Sequence, residues 1–98
     1  MFVKIYRYKL KRTNLQKWKK NNDTVGKIYK RYCGEFKRLI KRDKKFVHVV
    51  EIGFYKSKSE FKRIIKKFDN DPKVNVLFKE FLSLIHNSKF SEEEFETV

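Results

Sequence analysis

The chain has 98 residues, 40% of them hydrophobic and 16% aromatic, with a net charge of +14. That is the length of one domain, able to bury roughly 60–65% of the surface its unfolded form exposes, and too apolar for disorder. The lone cysteine, Cys33, excludes an intramolecular disulfide and points to a reducing, cytoplasmic location, basic residues from Lys4 to Arg12 break up any leader-like segment, and no apolar run approaches the roughly 20 residues of a membrane span.

Residues 2–10 are β-branched and aromatic with interleaved charges, the pattern of a strand. Phe2, Tyr6, Tyr8 and Leu10 share one face with Lys4, and Val3 and Ile5 share the other with Arg7 and Lys9. Thr13 and Gln16 have capping-box spacing. Leu15, Trp18, Val25, Ile28, Tyr29 and Tyr32 then recur at helical spacing, with Gly34 placed to end the helix and Asn21-Asn22-Asp23 expected to loosen its middle. Residues 35–42 and 46–55 predict two strands around a basic turn at Asp43-Lys44-Lys45, the second of them apolar on both faces.

Ser57 and Glu60 repeat the capping-box spacing, and Phe61, Ile64, Ile65 and Phe68 form the inward stripe of a second helix. Asp71-Pro72 restarts it, because proline at the first helical position sacrifices no hydrogen bond. Val76 to Ile85 give a wide apolar face that ends at Asn87-Ser88, and a short strand is expected over residues 94–98.

The order is βαββαβ, a ferredoxin-like α+β fold: a four-stranded antiparallel sheet with helices on one face. In this topology the last strand lies beside the first. Here the last is acidic and the first basic, so they attract. The aromatic side chains of Phe2, Tyr6 and Tyr8 and the two-sided strand 46–55 imply that the uncovered sheet face is not left bare. A second copy packed there makes a dimeric α+β barrel, whereas RNA stacking needs a basic-Gly-aromatic pattern that Lys45–Ile52 does not supply. The dimer is the favoured reading.

The strand Val3–Leu10, the helix end Ile28-Tyr29-Lys30-Arg31-Tyr32 and the segment Phe54-Tyr55-Lys56-Ser57-Lys58-Ser59-Glu60-Phe61 together resemble the antibiotic-biosynthesis monooxygenase-like family of dimeric α+β barrels over nearly the whole chain. The resemblance implies a homodimer with a hydrophobic pocket between each sheet and its helices. Some members are cofactor-free oxygenases of phenolic polyketides and others degrade haem. The tryptophan that active members carry at the end of the third strand falls here on Phe54 or Tyr55. The asparagine of haem-degrading members is absent from the region of Lys4, Tyr6 and Tyr8, so haem is disfavoured and no cofactor is expected.

Within such a pocket His48 is the candidate proton-transfer residue, since imidazole titrates near neutrality; the alternative is a half-buried, hydrogen-bonded histidine. His86 suits the end of a helix. Tyr6, Tyr8, Trp18, Tyr29 and Phe54 are candidates to line an aromatic-ligand pocket or to serve as core. Glu51, among apolar neighbours, is either a base of raised pKa or the partner of a nearby Lys or Arg. Two histidines and one cysteine give no metal-ligand spacing.

Residues 1–67 hold 23 of the 26 basic and five of the 12 acidic residues. Coding bias explains part of this, since the chain lacks alanine and is rich in Lys, Asn, Ile and Phe, but glutamate does not rise with lysine. Lys37, Arg38, Lys41, Arg42, Lys44 and Lys45 form the densest patch, and Lys62, Arg63, Lys66 and Lys67 a second. The alternative reading is therefore a non-enzymatic dimer that binds nucleic acid through phosphates, without sequence preference.

Overall fold

A computed structural model describes residues 1–32 and 35–98, so the expectations for Cys33 and Gly34 lie outside the described residues. Strand β1 (Phe2–Lys11) leads into helix α1 (Leu15–Arg31), strands β2 (Glu35–Arg42) and β3 (Phe46–Tyr55), helices α2 (Lys58–Asp69) and α3 (Pro72–Leu84), and strand β4 (Ser91–Glu96). The strands form one antiparallel sheet in the order β2-β3-β1-β4. This is the ferredoxin-like plan with its second helix in two pieces.

Local chemistry accounts for the boundaries. The Ser57 hydroxyl accepts the Glu60 N–H (3.1 Å) and starts α2, and the Asp71 carboxylate accepts the Lys73 N–H (2.9 Å) with Pro72 opening α3. Thr13 does not cap α1. It falls in a single 3₁₀ turn, Arg12–Asn14, and Asn14 at the cap position gives its amide to the Leu84 carbonyl at 3.2 Å. Residues 21–23 do not loosen α1 either. Asn22 donates to the Trp18 carbonyl (3.2 Å) and Asn21 to the Leu77 carbonyl on α3 (2.9 Å), so both amides are buried as ties. The last strand begins three residues earlier than its sequence pattern suggested and ends at Glu96.

β4 lies against β1, and Glu93 and Glu94 meet Arg7 (2.9 Å) and Lys4 (3.2 Å). The Arg7–Glu93 pair is exposed and worth ~0–1 kcal/mol, so it orients the edge strand more than it stabilises the fold, whereas Lys4 is buried on the inner face.

Two apolar clusters join sheet to helices. One holds Tyr8, Leu10, Trp18, Val47, Val49, Leu84 and Ile85; the other holds Phe2, Tyr29, Tyr55, Phe61 and Ile64. The inner face thus consists of the even-numbered residues of β1 and the odd-numbered residues of β3. This corrects one expectation: Phe2, Tyr6 and Tyr8 face the helices, not the uncovered side. The outer face is built instead from Val3, Ile5, Phe46, Val50, Ile52 and Phe54, all half-buried, with Leu39 (57% exposed) and Phe95 (49%) beside them. The thin dimension of 19 Å fits one sheet layer and one helix layer.

Candidate ligand-binding site

The register of β1 against β3 places residue pairs across the inner face like rungs. Leu10–Val47 and Tyr8–Val49 fill one end and Phe2–Tyr55 the other. Between them lie Tyr6–Glu51 and Lys4–Gly53, a polar and a side-chain-poor rung. Aliphatic packing fails there, the two clusters part, and a cavity of about 560 Å³ opens between sheet and helices. Its size falls in the range of small-molecule sites, roughly 300–1,000 Å³. Asn21, Asn22, Val25 and Tyr29 of α1, Ile65, Phe68 and Asp69 of α2, and Val74, Leu77, Phe78 and Phe81 of α3 make the roof. Phe90 and Glu92 close the β4 side. Gly53 leaves room at the floor: a Cβ there would stand 2.9 Å from the Tyr55 ring, which lies across it and would have to shift.

The floor carries a short hydrogen-bonded chain. The Trp18 indole N–H donates to the Tyr8 hydroxyl (3.0 Å), which donates to Glu51 Oε1 (2.8 Å). Burial pushes the Glu51 carboxyl above its ordinary range, while the Tyr8 bond and the charge of Arg38, its cross-strand neighbour, pull the other way. Tyr8 is raised by burial and then by Glu51. Tyr6 is raised by burial and then by the charges of Glu92, Glu51 and Asp69, with a contribution from Tyr55. Burial lifts Tyr55 to about 12 and raises Asp69. The Tyr29 hydroxyl is buried without a hydrogen-bond partner among the described residues.

Of the residues singled out in the sequence, Tyr6, Tyr8, Tyr29 and Glu51 meet in this cavity. Trp18 stands behind Tyr8 and braces it. Phe54 points to the outer face, and its neighbour Tyr55 lines the cavity instead. His48 is also on the outer face, its Nε2 2.7 Å from Asp43 Oδ2. That contact, with the Phe46 and Lys45 N–H groups, holds Asp43 well below the usual carboxylate range and closes the β2–β3 turn. His86 packs edge-on to Phe46, centroids 5.0 Å apart, so neither histidine lines the cavity. Glu51 accepts from a tyrosine, and no ion pair of Glu51 with Lys or Arg occurs among the described residues.

Lys4, Asn21, Asn22, Asp69 and Glu92 escaped the sequence reading. A lysine within the alternation Phe2-Tyr6-Tyr8-Leu10, and two asparagines in the middle of a helix, were the available signals, since polar groups on buried faces need a reason.

The basic hairpin does not present one face. Arg38 and Arg42 lie on the helix side of β2 and Lys37 and Lys41 on the other, by their register against β3. Arg38 is further engaged, 3.5 Å from Asp23 and over the Trp18 ring at 5.7 Å. Among the described residues no three His, Cys, Asp or Glu side chains group as a metal site, and no helix is long and apolar enough to cross a membrane.

No protein-family model matches the chain and no curated protein matches it significantly. Solved structures do. An uncharacterized NIPSNAP domain protein from Burkholderia xenovorans superposes with a TM-score of 0.81 at 13% identity, covering 100% of this chain and 95% of the other. SnoaB, a cofactor-independent oxygenase from Streptomyces nogalater, gives 0.68 at 12% identity, covering 98% and 91%. An antibiotic biosynthesis monooxygenase gives 0.72 at 9% identity, covering 100% and 99%. At such identities the likeness is one of fold: this chain has the fold shared by the NIPSNAP and antibiotic-biosynthesis monooxygenase-like proteins.

Proposed function

We propose that this chain binds a small apolar or aromatic molecule in the cavity between sheet and helices, and that Glu51 exchanges a proton with it. The observation that carries the reading is a half-buried carboxylate, held by Tyr8 with Trp18 behind it, on the floor of a cavity nearly half of whose lining is aromatic. Burial raises the affinity of Glu51 for a proton toward that of a useful general base. Oxygenation without a cofactor begins with loss of a hydroxyl proton from an electron-rich phenol or quinol, and Glu51 is the group placed to take it. The outer sheet face, apolar toward one end of its two central strands at Val3, Ile5, Val50, Ile52 and Phe54, supports a homodimer in which each copy covers the other's sheet.

Trp18 is the sole tryptophan and is hydrogen-bonded into the cavity floor, so its fluorescence reports occupancy. Titration with 4-ethylphenol should give a saturable change. Gly53→Leu, which drives the Tyr55 ring into the cavity, should abolish the change while the thermal transition stays cooperative. A flat titration of the wild-type chain with phenols, quinols and naphthols alike would sink the reading.

A further inference from the structure

The chain as a whole is strongly cationic, at +14, but its cavity is not. The charged residues in the wall are Glu51, Asp69 and Glu92 against a single lysine, Lys4. That lysine is already committed: its ammonium lies 3.2 Å from Glu94. The three carboxylates come from a central strand, the end of α2 and the edge strand, yet all three act electrostatically on the Tyr6 hydroxyl. Three separate elements of a basic protein thus direct negative charge at one point in its cavity.

The rest of the wall has the same preference. Nearly half of the lining residues are aromatic, and the faces of aromatic rings attract cations. The structure contains an instance of this: Lys4 Nζ lies 5.6 Å from the Tyr6 ring centroid and 5.5 Å from that of Phe61. The cavity therefore accommodates an ammonium group between rings, with carboxylates left over once Lys4 and Glu94 have paired. A carboxylate or phosphate ligand would bring its charge among three like charges in the wall, with Lys4 already paired to Glu94 and Arg38, behind the floor, already beside Asp23.

We infer that the ligand of this cavity is a small aromatic amine, bound as its ammonium ion with the charge beside Tyr6 and the ring among the phenyl side chains of the roof. The inference rests on the proposed ligand-binding role of the same cavity and adds the ligand's charge.

Three probes with the same phenol ring test the charge separately from the cavity: tyramine, 4-ethylphenol and 3-(4-hydroxyphenyl)propionate, each titrated against Trp18 fluorescence at pH 7. Tyramine should bind tightest and the propionate weakest, with about a ten-fold or larger spread between them, the scale of one partly desolvated cation–π or charge contact. Surface attraction to a cationic protein gives the reverse order, so the sign is diagnostic. In the double variant Asp69→Asn/Glu92→Gln, altered at the exposed rim, tyramine's advantage over the propionate should shrink several-fold. Binding of 4-ethylphenol with tyramine no better than the propionate overturns the inference and leaves the cavity reading standing, as does an unchanged ratio in the double variant. Failure of all three probes to bind removes the cavity reading and the inference with it.

Discussion

The two faces of the sheet are made from the same strands and differ in how their side chains are covered. On the inner face, packed rungs at both ends enclose the polar rungs Tyr6–Glu51 and Lys4–Gly53, and the helices bridge the gap as a roof over a cavity. On the outer face, Val3, Ile5, Val50, Ile52 and Phe54 run on without such a break, and the charged Arg7 and Lys9 stand toward one end. A face interrupted by polar groups but covered encloses a cavity, whereas the face that is uncovered is the one offered to a second copy in the proposed dimer. The difference lies in where the polar residues interrupt the alternation, not in overall hydrophobicity.

Four changes probe that contrast, in descending order of effect. Leu10→Ala removes a fully buried inner-face side chain and should lower unfolding stability by ~2–5 kcal/mol in urea titrations, through lost transfer energy and the void left behind. A loss below ~1 kcal/mol would mean that the inner core is not packed as described. Ile52→Lys puts a charge in the centre of the outer face and should weaken self-association by roughly 2–4 kcal/mol, yielding monomer in sedimentation at micromolar concentration with ligand binding retained. A wild-type chain already monomeric there would remove the dimer from the proposal.

Glu51→Gln acts on the cavity floor, and its signature is a pH dependence. The folded chain holds the Glu51 proton more tightly than the unfolded chain, whose carboxyl titrates near 4.5. Below that pH both states are protonated and ionisation carries no penalty. As pH rises, the unfolded chain ionises first, so stability declines until the raised value is passed and is level thereafter. Urea midpoints between pH 4 and 9 should show this decline in the wild type and its flattening in Glu51→Gln. Identical profiles would show that the carboxyl is solvated. The smallest effect belongs to Arg7→Gln, which breaks the exposed pair with Glu93 on the outer face and should shift stability by ~0–1 kcal/mol, vanishing in high salt.

Much of the fold was legible because local rules decided it. The bounds of β2 and β3 follow from β-type runs separated by a polar turn, and the starts of α2 and α3 follow from Ser57 and from Asp71-Pro72. The neighbourhood of β4 and β1 was foretold by the ferredoxin-like element order, with opposite charge in agreement. The site was legible only in part. Tyr6, Tyr8, Tyr29 and Glu51 stood out as polar-tipped or ionisable residues in apolar segments, and they do converge. His48 stood out for the same reason and Phe54 as an aromatic where the resembled family carries tryptophan, and both lie on the other side of the sheet. Nothing in residue type separates Phe54 from Tyr55; one step along a strand does.

From the amino-acid order alone came the element sequence, the capped helix starts, the charge match between the first and last strands, and the set of residues that share each strand face. Which face turned toward the helices was decided only in three dimensions. A period of two is unchanged when the faces are exchanged, and in β1 and β3 both faces are apolar enough to be buried. The cavity likewise exists only through register, because strand pairing sets Tyr6 opposite Glu51, 45 residues on, and Lys4 opposite Gly53, 49 residues on.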